Sequence, residues 1–144
     1  MSMPLTDASH DLGDDRYAMR WRRTFPGRPE QAQPAREFVA YLLSGCALAD
    51  DAVSTVGEFV VNALRHTHSA LPGGRFTVEV RRWPSGISIG VTDQGGTSEP
   101  AAREPDPLEE SGRGLKTVAT LASRWDWTGD ANGRTVIAVF DIAN

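Results

Sequence analysis

Apolar and polar positions alternate along this chain with two different periods. From Asp51 to His66, Val53, Val56, Val60 and Leu64 recur at helical spacing and form one apolar stripe. The same period predicts an earlier helix with Ala35, Phe38, Val39 and Leu42 on one face, Pro34 near its start and Gly45 as its stop. Asp50 or Asp51 is expected to cap the second helix. A third is expected from about Gly114 to Arg124, with Leu115, Val118, Ala119 and Ala122 inward. Between the second and third helices the period falls to two. Phe76, Val78 and Val80 alternate with Thr77, Glu79 and Arg81, Pro84-Ser85-Gly86 turns the chain, and Ile87, Ile89 and Val91 alternate with Ser88, Gly90 and Thr92. This is an antiparallel hairpin. Arg20 to Phe25 is a short strand ended by Pro26-Gly27, and the stretches 125–128 and 135–142 form a last hairpin around Asn132-Gly133. Helices and mostly antiparallel strands in runs predict an α+β fold: a two-layer sandwich of a mostly antiparallel mixed sheet with three main helices on one face.

Composition narrows the class. The 144 residues suffice for one domain with its own core, and 40% hydrophobic with 24% charged residues is ordinary for a soluble protein. Residues 1–18, with Asp7, Asp11, Asp14 and Asp15 and few large apolar side chains, are expected to be a disordered tail preceding a domain at 19–144. A net charge of −4 argues against direct nucleic-acid binding, which needs a basic face. No apolar run approaches the ~20 residues of a membrane span, and no apolar signal core opens the chain. The lone Cys46 excludes an internal disulfide and reads as a small buried hydrophobe, so the expected compartment is the reducing cytoplasm.

Three segments carry chemistry. In Glu58-Phe-Val-Val-Asn62-Ala-Leu-Arg65-His66, the polar residues Glu58, Asn62, Arg65 and His66 fall opposite the apolar stripe. An acid, an amide, a guanidinium and an imidazole within three turns could hold a polyanion and its metal; a solvated polar face explains Glu58 and Asn62 equally well. His66 and His68 lack the spacing of a metal-ligating cluster. Asp93 shares the strand parity of Ile87, Ile89 and Val91, so its carboxylate points toward the core and needs a partner. Gln94-Gly95-Gly96 follows, where the backbone can turn or approach a ligand, although Asp93 could also simply tie down its own turn. Gln94 to Ser111 is a long loop with Pro100, Pro105, Pro107 and five acidic residues. It leads to Gly112-Arg113-Gly114-Leu115, either a phosphate-binding helix start or a flexible joint. Lys116-Thr117 lacks the glycine spacing of a P-loop, and no strand leads into it.

Taken in order, Glu-x-x-x-Asn on a helix, Asp-x-Gly after a strand and Gly-x-Gly at a helix start resemble the GHKL (histidine-kinase-like) ATPase family, the group of gyrase B, MutL and the histidine-kinase catalytic domain. The resemblance covers about residues 19–142. The phrases Glu58-Phe-Val-Val-Asn62-Ala and Leu121-Ala-Ser-Arg-Trp125 are similar to the anti-sigma factor serine kinase branch, whose stand-alone ATP-binding domains occur in actinobacteria.

The resemblance implies a Bergerat-type ATP-binding fold and the cofactors ATP and Mg2+. Glu58 would be the general base and Asn62 the magnesium ligand. Asp93 would accept the adenine amino group, with Gly95 and Gly96 lining the base. Gly112, Gly114 and Leu115 would present backbone to the phosphates, and 97–111 would be the ATP lid. Thr135 would match the threonine that reaches adenine through water, and Arg65 and His66 would stand on the phosphate or ribose side. One departure is Thr97, which takes the last glycine position of Asp-x-Gly-x-Gly.

Two functions from different classes follow. One is an ATP-dependent serine/threonine protein kinase acting on an anti-sigma antagonist protein. The other is a catalytically silent, ATP-gated module that sequesters a sigma factor or another regulator. Glu58 favours the first; Thr97 and the acidic lid favour the second. A histidine-kinase fragment is the weaker reading, since no histidine-bearing dimerisation helix is read before residue 19 and His10 sits in the acidic tail. The resemblance also admits a homodimer.

Overall fold

In the computed structural model of the chain, the structure describes residues 18–66, 70–95 and 110–142, the side chains of 66 and 110–114 excepted. The expected tail, His10, His68, Gly96, Thr97 and most of the expected lid lie outside the described residues. Strand β1 (Met19–Pro26) leads through a short helical turn into α1 (Ala32–Leu42) and α2 (Ala49–His66). The hairpin β2 (Arg75–Trp83) and β3 (Gly86–Asp93) follows, then α3 (Glu110–Leu121) and the hairpin β4 (Arg124–Asp130) and β5 (Gly133–Asp141).

The strands form one sheet in the order β1-β2-β3-β5-β4, with every neighbouring pair antiparallel. The expected mixed sheet is therefore corrected. The last hairpin explains why: β4 runs in the same direction as β3 but takes the outer edge, and β5 inserts antiparallel between them. Its loop is Ala131-Asn132 rather than Asn132-Gly133, because Asp130 pairs with Gly133. The Asp130 carboxylate accepts the Asn132 backbone N–H at 2.8 Å, an Asx turn that needs no left-handed residue in the loop.

Phe25, Phe76 and Phe38 lock β1, β2 and α1 together. The Phe25 and Phe76 rings stack across the strand pair at 5.4 Å, and Phe38 meets Phe25 edge-on at 6.1 Å. Helix α2 packs against α1, α3 and β3. Its buried arc holds Ala52, Thr55, Val56, Phe59, Val60, Asn62 and Ala63, while Val53 and Leu64 are only half-buried. The apolar stripe read from the aliphatic residues does face the core, with Val56 and Val60 inside it and Val53 and Leu64 packed against it, and the buried arc extends beyond the stripe to Phe59, Asn62 and Ala63. Contact with three elements buries a wider arc than an amphipathic surface helix shows. Asp50 and Asp51 lie inside the first turn of α2, where the helix dipole favours acids, rather than capping it. Helix α3 starts four residues earlier and ends three residues earlier than its periodicity suggested.

On the far face of the sheet, Trp83 covers Val139 with Ile137 and Ala18 beside it. Gly86 makes room for this: a Cβ there would lie 2.7 Å from the Phe140 carbonyl oxygen and 2.8 Å from the Trp83 ring. Glu79 gathers Arg20 and Arg81 at 3.0 and 2.9 Å on the same face. These exposed pairs contribute little to stability.

Phe59 sets the rotation of α2, because its ring is 1% exposed and lies within one turn of both Glu58 and Asn62. Phe59→Ala is expected to destabilise the fold by about 3–5 kcal/mol. Urea unfolding measures this; a loss below about 1 kcal/mol would show that α2 is not anchored here.

Candidate functional site

The site is built from one helix and the ends of two neighbouring strands. On α2, Glu58 is half-buried and Arg65 is exposed; both make polar contacts. Asn62 is 3% exposed and its Nδ2 has no hydrogen-bond partner among the described residues. An unpaired buried amide donor costs roughly 1–3 kcal/mol, so this position is unfavourable for the protein alone. Asn62 therefore does not belong to a solvated polar face. Thr55, two turns earlier on the same side, is fully buried with its Oγ1 also unpartnered. Sequence reading missed it, because one threonine among apolar residues carries no signal. His66 closes the helix.

At the other end, Asp93 is the last residue of β3 and is 4% exposed. Its Oδ1 accepts the Gly95 backbone N–H at 2.7 Å. Burial pushes the Asp93 carboxyl above the usual range, while the Gly95 N–H and the Arg134 guanidinium pull it back. Gly95 has φ +80, and a Cβ on it would overlap the Ala131 carbonyl and lie 2.8 Å from the Asn132 nitrogen. Only glycine fits between the β3 end and the β4–β5 loop. The carboxylate both ties down its own turn and stands at a strand end held by that loop.

The register of β5 revises the expectation for Thr135. Asp93 pairs with Arg134, and Thr92 pairs with Thr135. Directly opposed residues point to the same side of a sheet. Thr135 therefore lies on the far face, its Oγ1 2.8 Å from that of Thr92. Arg134 stands beside Asp93 instead. It is 3% exposed, with Nε 3.7 Å from Asp93 Oδ1. This residue escaped the sequence reading. The apolar run from Val136 to Phe140 hides which parity faces the helices, and a buried arginine is rare without a paired anion.

Helix α3 brings Leu115 into the same apolar core as Phe59, Val60 and Ala63. Gly112 and Gly114 lie within its first turn and a half rather than ahead of it. The structure joins Asp93, Gly95 and Arg134 by direct contact and places Glu58 and Asn62 one turn apart; Thr135 belongs to neither group. An open groove of about 500 Å³ borders the strand ends between Thr77, Thr92, Asp93, Gln94, Asn132 and Gly133. A second, of about 670 Å³, lies between the ends of β1 and β2. Neither is lined by α2.

Among the described residues no three or more His, Cys, Asp or Glu side chains are arranged to hold a metal ion, which leaves Asn62 as the donor to consider. A magnesium ion that keeps most of its water needs a single protein oxygen, for which only the Asn62 Oδ1 would serve; the orphaned atom of this amide is its Nδ2 donor, which suits a phosphate oxygen rather than a cation. No helix among the described residues is long and apolar enough to cross a membrane.

Comparison with known proteins agrees with this geometry. The model of the histidine kinase-like ATPase domain matches residues 25–140. Among solved structures, the RsbU and RsbW domains of Rv1364c from Mycobacterium tuberculosis superpose with a TM-score of 0.61 at 18% identity. That match covers 85% of this chain and 32% of the Mycobacterium chain, so this chain spans about a third of it. The SiaB–SiaC complex from Pseudomonas aeruginosa gives a TM-score of 0.56 at 13% identity, covering 92% of this chain and 95% of the other. A search of curated sequences gives no significant match. At these identities the solved structures speak for the fold alone. The family model spans most of the chain, from the Phe25 core through α2 and Asp93 to Phe140, and the chain belongs to the histidine kinase-like ATPase family.

Proposed function

We propose that this ATP-binding domain is a regulatory serine/threonine protein kinase of the anti-sigma type, transferring phosphate from ATP to a hydroxyl on an antagonist protein. The observation that carries the reading is α2: a half-buried carboxylate, Glu58, one turn before a buried amide, Asn62, whose Nδ2 donor finds no partner among the described residues. In phosphoryl transfer the protein supplies positioning, charge neutralisation and a base near the hydroxyl. Glu58 would take the hydroxyl proton. The Asn62 amide oxygen would hold the metal, which neutralises phosphate charge when bound. Asp93, with Oδ1 held by Gly95, would turn its other oxygen to the adenine amine. Gly112 and Leu115, early in α3, would lie on the phosphate side. The SiaB–SiaC structure, of nearly the same length and fold, supports the idea of a protein partner. Arg65, exposed at the end of α2, would face the phosphates or the substrate.

A second reading, ATP-gated sequestration without turnover, is favoured by Thr97 in the last glycine position of the second motif. Incubation with γ-labelled ATP and candidate antagonist proteins separates the two. Label on the antagonist supports the kinase; nucleotide-dependent binding with no label would establish the silent module.

Three outcomes are expected at the site. ATP should bind far more tightly than GTP, by up to ~10⁴-fold, since ionised Asp93 accepts the adenine amine but repels guanine's oxygen. Asp93→Asn should weaken ATP binding. Equal affinities in a nucleotide titration would remove this assignment.

Glu58→Ala should keep ATP affinity within a few-fold and lower phosphoryl transfer by about 10²–10⁴-fold. Asn62→Ala should instead impair the magnesium-dependent part of binding. A folded Glu58→Ala protein that no longer binds ATP would make Glu58 structural.

Gly95→Ala should lower both the melting temperature and ATP affinity, because a side chain at φ +80 meets the Ala131 backbone and displaces the N–H that holds Asp93. Unchanged ATP affinity in this variant would separate the turn from the site.

A further inference from the structure

Charge is unevenly placed on this chain. The whole sequence carries a formal charge of −4, yet β1 and β2 together hold six arginines and a single acid, Glu79. Register puts Arg20, Arg22 and Thr24 of β1 beside Arg81, Glu79 and Thr77 of β2, on the sheet face turned away from the helices. Arg20 and Arg22 stand 3.0 and 3.5 Å from Glu79 Oε2, and Arg81 stands 2.9 Å from Oε1. One carboxylate thus offers two oxygens to three guanidiniums with five N–H donors each, and it cannot saturate them. The side chains of Arg20 and Arg22 are 54% and 58% exposed.

This arginine stripe runs into a groove. At the ends of β1 and β2 about 670 Å³ lies open among Pro26, Arg28, Leu71, Pro72 and Arg75, roughly 13 Å along the strand from Arg22. Leu71 is 57% exposed there. Arg75 borders this groove and the smaller one beside Asp93. Gln94 Oε1 accepts the Arg75 backbone N–H at 2.9 Å, which fixes where its side chain starts. The Arg75 guanidinium makes no ion pair among the described residues, and Arg28 reaches only the exposed Glu30 at 3.9 Å.

We propose that the arginine stripe of β1 and β2, with the groove at its end, docks an extended acidic segment of a protein partner. Carboxylates of the segment meet the guanidiniums, and one large apolar side chain enters the groove beside Leu71. A segment that follows the stripe runs along the strands and is therefore extended. Nucleic acid fits less well: its phosphates would face Glu79 in the middle of the stripe and a chain of net negative charge, and it brings no aliphatic side chain for the groove. The surface lies on the sheet face opposite α2, so the proposal stands or falls independently of the roles given to Glu58 and Asn62.

The alternative is that these arginines only keep other strands off an exposed sheet edge. Fluorescence anisotropy of the intact chain separates the two. The probe is a short labelled peptide of aspartate, glutamate and serine with one leucine near its end, at physiological ionic strength. The proposal expects saturable binding that weakens about 10-fold when the peptide's leucine becomes alanine. Arg22→Glu and Leu71→Ser should each weaken it by a similar factor, about 10-fold, whereas Arg36→Glu on α1 should leave it unchanged. Both stripe and groove positions are more than half exposed, and an unchanged melting curve confirms that the variants fold. Binding that ignores the leucine and falls equally in Arg36→Glu would be diffuse charge attraction and would overturn the proposal. A single-stranded oligonucleotide that displaces the peptide and binds more tightly would assign the surface to a polyanion instead. Absence of peptide binding, with self-association that Arg22→Glu abolishes in sedimentation, would assign it to a second copy of the chain.

Discussion

Strand β3 is hydrogen-bonded on both edges, to β2 and to β5, and seven of its eight residues are buried. Its odd positions, Ile87, Ile89 and Val91, enter the helix-side core, and the next in that series is Asp93. A carboxylate at the end of a doubly paired, buried strand has almost no freedom to move. The apolar side chains before it fix its direction, and the Gly95 N–H fixes one of its oxygens. Helix α2 packs on this strand and β5 pairs with it, while α3 is placed through α2 and the edge strand β4. Sites carried on such elements hold their geometry better than sites on loops.

Physical chemistry opposes this placement of a charge. Burial raises the Asp93 carboxyl, and two residues act against it: Gly95 through its backbone N–H, and Arg134 through its guanidinium and its backbone. Removing either partner of a buried ion pair costs far more than the pair itself contributes, since the remaining charge is left without compensation. The three-residue unit of Asp93, Gly95 and Arg134 should therefore respond to substitution as a unit, and single replacements there should not add. Asn62 shows the same tension in neutral form. Its amide is buried without a partner for Nδ2, a cost that the fold carries for no visible packing gain.

Much of this was legible from residue types alone, and the part that was not has a common cause. The inward parity of Asp93 and the turn at the glycine after it were legible, because each depends on local pattern at the end of a well-defined strand. The hairpin of β2 and β3 was equally plain, since its alternation is clean. On helix α2 the valine and leucine stripe was legible and packs on the core; Phe59 and the small residues Ala52 and Ala63 widen the contact face beyond it. Parity on β5 was lost because Val136 to Phe140 are all apolar, so either alternation looks acceptable. A slip of one residue in a strand exchanges its faces, and Thr135, named only through the family resemblance, lies on the face opposite that of Arg134. The Asn132-Gly133 signal gave no correction, since the turn is made by the Asp130 side chain one residue earlier.

The exchange of Thr135 for Arg134 changes the physical description of the site more than any other revision. A hydroxyl can donate or accept and adapts to whatever edge it meets, whereas a guanidinium beside a carboxylate fixes the polarity of both positions. At 3.7 Å this pair makes no close charge-assisted contact through Nε, and replacing such buried pairs by apolar residues is often neutral or stabilising. The Arg134 guanidinium still offsets part of the cost of burying the Asp93 carboxylate. Both side chains are nearly buried on the helix-covered face of the sheet, where little water competes for either charge. Within that low-dielectric setting, loss of either charge leaves the other uncompensated, a consequence that no hydroxyl at the same place would have.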